Sequence, residues 1–295
     1  MNERISHGEK VELFSYTKCN ANLKVLERRP DGYHDLKSQV VMLDNPVDSM
    51  ILSDFTSNWE SMEISSNISA LEDVKSNLIY VALKASKEYF FNLGVKVSLP
   101  QRIELNKTIP IFAGLGGGSS NAASILLWVG AQALKRTDEI LTFLKEVAPL
   151  VGSDVLACCF ESCEMLGRGE QVQDEAKLID PTKKYKGTGE AITLIMPNIE
   201  CNTADVFKRF AMMEKRSNHT ELNDLTEAAT DLYPKLKEFI AFCDELKVPV
   251  TMLGSGSTLL TAKNLNQKEI TSLSTNAKLV KSNVISKINL GYLPC

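Results

Sequence analysis

The chain has 295 residues, with 44% apolar and 24% charged side chains. At about 150 residues per domain that is enough for two domains around a sizeable core, without disulfide or metal staples. Its 33 Lys and Arg against 37 Asp and Glu give a net charge of -4, so no basic excess is present to bind nucleic acid by neutralising phosphates. No stretch approaches the roughly 20 apolar residues of a membrane span, and the N-terminus shows no apolar run of signal-peptide length, so a cytoplasmic location is the expectation. The seven cysteines are odd in number and form no zinc-ligand spacing, as expected of buried thiols in a reducing compartment.

In chain order, Val11–Phe14 and Asn22–Leu26 read as strands around a short turn-like segment, and Arg28–Gly32 as a Pro-Asp-Gly turn. Ser38–Leu43, Met50–Leu52 and, more weakly, Ser61–Ile68 are further strands. Leu78, Val81, Ala82, Ala85 and Tyr89 recur at helical spacing, so Asn77–Phe91 is predicted to be an amphipathic helix. Strands follow at Val95–Leu99 and Arg102–Leu105, then a glycine-rich loop at Gly114–Gly118 and a helix from Ser120 to Leu134. Thr137 reads as the N-cap of another helix, which carries Asp138 and Glu139 in its first turn and stops near Pro149.

The charged stretch Lys177–Thr188 separates two apolar patterns and divides the chain into an N-terminal domain over 1–174 and a C-terminal one over 189–295. In the latter, Ala191–Met196, Val248–Leu253, Thr258–Ala262 and Leu279–Ile288 read as strands. Ala204–Met213, Asp224–Phe242 and Gln267–Ala277 read as helices. The fold class is therefore α+β in two lobes.

The densest chemical signal is Pro110-Ile-Phe-Ala-Gly114-Leu115-Gly116-Gly117-Gly118-Ser119-Ser120. Four glycines in five positions let a backbone approach a ligand closely, and the helix behind them aims unpaired N–H groups at the loop. That combination is an anion pocket suited to a phosphate chain, with the two serines available to phosphate or Mg²⁺. No lysine follows Gly118, and Ser119 stands where a dinucleotide fingerprint needs glycine, so neither a Walker loop nor a dinucleotide loop is present. Two quieter features accompany it: Gly152-Ser153-Asp154, just past a helix end, and Lys18, between two strand-like segments.

In combination these motifs resemble the GHMP small-molecule kinases. The series is Lys18-x-Asn20, Arg29-Pro-Asp-Gly-Tyr33-His34, the glycine loop, Gly-Ser-Asp154 and Leu253-Gly254-Ser255-Gly256-Ser-Thr258, in that order and covering nearly the whole chain. It is most similar to the branch of that family acting on a cytidine-diphosphate-linked methylerythritol in non-mevalonate isoprenoid synthesis. The resemblance implies two α+β lobes with ATP, Mg²⁺ and substrate meeting in the cleft between them. It implies Asp154 as catalytic base and Lys18 as its charge partner. Asn20, Tyr33, His34, Thr203 and Phe207 fall at substrate-binding positions, with Tyr33 and Phe207 sandwiching the cytosine. Asn77, Lys107, Gly114–Ser120 and Gly254–Gly256 fall at the nucleotide. Monomer or weak homodimer is the expected state. A kinase of the same superfamily acting on mevalonate, homoserine or a sugar, and a non-catalytic nucleotide-binding paralogue, are the alternatives. The sequence departs from the family at Tyr16-Thr17, where Pro-Ala is usual, at Ser153 for alanine and at Leu156 for proline.

Overall fold

Polar residues crowd Ser15–Asn20, yet in the computed structural model they belong to one continuous strand, β1 (Val11–Asn20), and not to a turn. The model describes residues 9–29, 34–213 and 222–286. Each polar side chain in this stretch finds an internal partner: Ser15 Oγ donates to Ser124 Oγ at 2.9 Å and Thr17 Oγ1 to the Pro46 carbonyl at 2.7 Å. Satisfied in this way, hydroxyls tolerate burial that their composition alone argues against.

β1 pairs with a 23-residue strand, β3 (His34–Thr56), which sequence reading splits in two. The break expected at Asp44-Asn45-Pro46 is a bulge: Thr17 faces Leu43, Tyr16 faces Val47, and the three residues between oppose nothing on β1. Around β3 assemble β2 (Lys24–Arg28), β4 (Glu63–Ser66), β5 (Leu99–Asn106), β6 (Ser162–Gly167) and β7 (Gln171–Gln173), in a seven-stranded sheet in which only β4 and β5 run parallel. The strand expected at Val95–Leu99 begins only at Leu99. The Pro30–Gly32 part of the expected turn, and Tyr33, lie outside the described residues.

Three helices cover this sheet. In α1 (Leu78–Asn92) the N-cap is Asn77, whose side chain accepts from Ile79 N at 3.0 Å. α2 (Gly117–Ala133) is buried all round from Ser120 to Gly130, as befits a central helix. α3 (Thr137–Val151) has Arg136 as its N-cap, so Thr137 is the first helical residue and not the cap. Pro149 sits inside its last turn and the helix ends two residues later.

A second, antiparallel sheet has the order β11-β8-β10-β9, with β8 (Ala191–Pro197), β9 (Thr251–Met252), β10 (Leu259–Thr261) and β11 (Ala277–Asn283). α4 (Thr203–Met212), α5 (Thr226–Leu232), α6 (Pro234–Glu245) and α7 (Gln267–Ser274) accompany it. The single helical pattern read over Asp224–Phe242 is two helices. Pro234 cannot continue α5 but suits the first turn of α6.

The segment between the sheets is tied down. Tyr16, one of the departures noted above, donates its hydroxyl to the Lys183 carbonyl at 2.6 Å and accepts from Tyr185 N at 2.9 Å. Asp44, in the β3 bulge, accepts from Gly187 N at 2.9 Å and from Asn283 N at 2.7 Å, joining the first sheet to β11.

Candidate active site

The glycine loop is built against β1. Lys18 N donates to the Leu115 carbonyl at 3.0 Å, and a Cβ at Gly116 would stand 3.0 Å from the Lys18 stem. The loop therefore lies along the lysine, whose ammonium continues to Asp154 Oδ2 at 2.6 Å. Asp154 sits in the turn after α3, and its carbonyl accepts from Cys158 N at 3.2 Å. The lysine side chain is 5% exposed and the aspartate 30%, so the pair opens to the cleft on its acidic side. Burial opposes the Lys18 charge, but the Asp154 carboxylate outweighs it and holds the lysine above its ordinary pKa.

Gly114 is where the second sheet meets this loop. At φ +75 its α-carbon lies so close to the Leu253–Gly256 turn that a Cβ would fall 2.5 Å from the Leu253 carbonyl oxygen. Asn223 fastens that turn from behind, donating to the Met252 and Gly254 carbonyls at 2.7 and 2.8 Å.

Together these elements enclose a cavity of about 1250 Å³. Its walls bring together Lys18, Asn20, His34, Lys107, Gly114–Ser119, Asp154, Thr203, Phe207, Gly254 and Ser255. Asn20 donates to Ser38 Oγ at 2.7 Å, while its buried Oδ1 has no partner. An acceptor left open at the cavity wall suits a ligand hydroxyl. Thr203 and Ser255 share a hydrogen bond of 2.8 Å, and His34 packs edge-on to Phe210.

Three expected residues stand apart from the wall. Asn77 caps α1 and donates to the Leu71 carbonyl at 2.9 Å, so both ends of its amide are used within the protein. Ser120 is 2% exposed and turned inward on α2, and Gly256 lies behind Ser255.

Sequence reading missed Asp48. This fully buried carboxylate pairs with Lys107 Nζ and accepts from Thr108 N at 2.7 Å, Ile109 N at 2.8 Å and Asn121 Nδ2 at 3.0 Å. It thereby fixes the approach to the glycine loop and the first turns of α2. Burial prevails over Asp48 at Lys107 and holds that lysine below its ordinary pKa. Ser153 and Arg168 also reach the wall. They are brought there by Gly169, whose α-carbon packs on the Ser153 carbonyl where a side chain would collide.

Residues 77–162, which contain this loop and Asp154, match the GHMP kinases N-terminal domain. Over 254 residues the chain is 31% identical to the 4-diphosphocytidyl-2-C-methyl-D-erythritol kinase of Francisella tularensis subsp. tularensis, covering 83% of this chain and 84% of that one. The chain belongs to this kinase family. The enzyme of the same name from Francisella philomiragia subsp. philomiragia is 29% identical over 94% of this chain and 96% of its own length. A crystal structure of 4-(cytidine 5'-diphospho)-2C-methyl-D-erythritol kinase superposes with a TM-score of 0.63 at 24% identity, covering 92% of this chain and 98% of that one. The two-lobed α+β GHMP kinase architecture is thus the observed fold, and as a kinase of this family the protein takes ATP as phosphate donor. Among the described residues no helix is long and apolar enough to cross a membrane.

Proposed function

We propose that the protein transfers the γ-phosphoryl group of ATP to the 2-hydroxyl of 4-diphosphocytidyl-2-C-methyl-D-erythritol. The observation that carries this reading is the Lys18–Asp154 pair, joined at 2.6 Å beside a glycine loop bonded to the same strand. Asp154 accepts the proton of the substrate hydroxyl as it attacks phosphorus. Lys18 pairs with the carboxylate and stabilises the alkoxide charge as it develops. Gly114–Ser119 and the N-terminus of α2 hold the phosphate chain in line. Asn20 Oδ1 accepts from the methylerythritol end.

Phe207 and His34 receive the cytosine. Tyr33 joins them by its motif, although it lies outside the described residues. Lys107 acts at the nucleotide end through its clamp on Asp48 beside the glycine loop, and Asn77 through its helix cap.

Among the described residues no three His, Cys, Asp or Glu side chains converge to hold a metal. Mg²⁺ binding through ATP phosphates with few protein ligands fits this donor set, with Asp154 and the Ser119 hydroxyl within the same wall. The bound ion would neutralise charge on the phosphate oxygens.

The test is ADP release by purified protein with ATP, Mg²⁺ and each of three alcohols: the cytidine-linked methylerythritol, mevalonate and homoserine. The first is expected to support turnover and the other two not. Turnover with mevalonate or homoserine in its place would move the protein to another branch of the superfamily.

A further inference from the structure

The segment leading into α2 adopts left-handed backbone at every second residue: φ is +54 at Phe112, +75 at Gly114 and +63 at Gly116. Glycine takes this conformation without strain, while a bulky aromatic is an outlier there. Phe112 is the single apolar side chain with positive φ among the described residues; the other non-glycine cases are Asp54, Asp174 and Lys247. Folding does not explain its presence, because the ring is 60% exposed and gains little from burial. The backbone that carries it is tied to the second lobe by two long hydrogen bonds: the Phe112 carbonyl accepts from Cys201 N and the Ala113 carbonyl from Thr258 N, both at 3.4 Å. A strained, exposed aromatic therefore lines the wall of the candidate active-site cavity, close in chain to Gly114 and bonded two residues before the start of α4.

Strain of this kind persists where a function maintains it. We infer that Phe112 is a specificity-determining residue: its ring presents an aromatic face to a nucleobase in the cleft and is covered when the nucleotide binds. The apolar wall around it, with Ile111, Phe207 and Met212, suits a flat base better than a phosphate or a polyol. The proposed reaction brings two bases to this cavity, adenine on the donor and cytosine on the acceptor. The inference rests on that reading only for the identity of the second base.

The experiment is calorimetric titration of wild type, Phe112→Gly, Phe112→Leu and Phe112→Tyr with ADP and, separately, with CDP, beside a thermal melt of each. Binding needs no turnover, so a wrong acceptor assignment leaves the result readable. Phe112→Gly is expected to melt at or above the wild-type temperature, because the strain is relieved. It should bind one of the two nucleotides about 10-fold more weakly, the usual consequence of removing an aromatic from a base. Phe112→Tyr should bind like wild type and Phe112→Leu should fall between. Selective loss of ADP binding places the ring on the donor base, and selective loss of CDP binding on the acceptor base. Unchanged affinity for both nucleotides in Phe112→Gly would overturn the inference, as would equal weakening of both with a lowered melting temperature.

Discussion

Two lysine–aspartate pairs flank the glycine loop, and they are built for opposite purposes. In Lys18–Asp154 the aspartate is 30% exposed and the lysine is held above its ordinary pKa. In Lys107–Asp48 the side chains are 3% and 0% exposed, four donors surround the carboxylate, and the lysine lies below its ordinary pKa. The same two functional groups thus make a pair open to the cleft, proposed above as the reactive one, where the carboxylate is partly exposed, and a structural clamp where it is not. Free valence at the carboxylate, and not the ion pair itself, separates chemistry from scaffolding.

The strongest way to break this contrast is to neutralise each aspartate in turn. Asp154→Asn should lower kcat by about 10²- to 10⁴-fold, the usual contribution of a positioned base, with ADP affinity near wild type and a smaller fall in melting temperature than Asp48→Ala, because the asparagine oxygen can still accept from Lys18. An unchanged kcat would remove Asp154 from the role of base. Asp48→Ala should show the reverse pattern. Stranding a buried lysine costs about 3–5 kcal/mol, so its melting temperature should fall by roughly 10 °C in a thermal scan. A stable Asp48→Ala protein that has lost only turnover would show that both pairs are catalytic.

Asp44 sharpens the comparison from outside the cleft. Burial raises its pKa, but the Asn283 and Gly187 amides, with Asn283 Nδ2 and Ser282, outweigh that and hold it below the ordinary carboxylate value. A depressed carboxylate stabilises the fold above its unfolded pKa near 3.8, and this stabilisation is lost as pH falls through the still lower folded value. Asp44→Ala should therefore cost about 2 kcal/mol at pH 7 and progressively less as pH falls below 3.8, read from urea melts at pH 7 and pH 3. Equal losses at both would show that charge is not what the two sheets share there. The smallest effect is expected from Tyr16→Phe, about 1 kcal/mol, since it removes one hydroxyl joined to Lys183 and Tyr185.

The sequence carries these features unevenly. The helices were legible because periodicity is local: α1 follows its expected span within a residue, with Asn77 at its cap. The glycine loop and Gly-Ser-Asp154 were legible because their chemistry needs particular residues close together. β3 was not, since Asp44-Asn45-Pro46 carries turn composition, and only pairing with β1 reveals that the strand resumes. Asp48 was hidden for a related reason. Its partners lie 59 to 73 residues away, and the local signal is no more than an acidic residue between Val47 and Met50 in a strand. Asn77 shows the converse. Its place in the motif is visible, but its amide is spent on the helix it begins.

The contact between Gly114 and the Leu253–Gly256 turn has a mechanical consequence. Backbone meets backbone there with no side chain between, so the floor of the cleft is a seam that cannot slide or part without tearing main-chain packing. A side chain introduced at Gly114 would wedge that seam apart at the base of the glycine loop, since its Cβ would fall 2.5 Å from the Leu253 carbonyl oxygen.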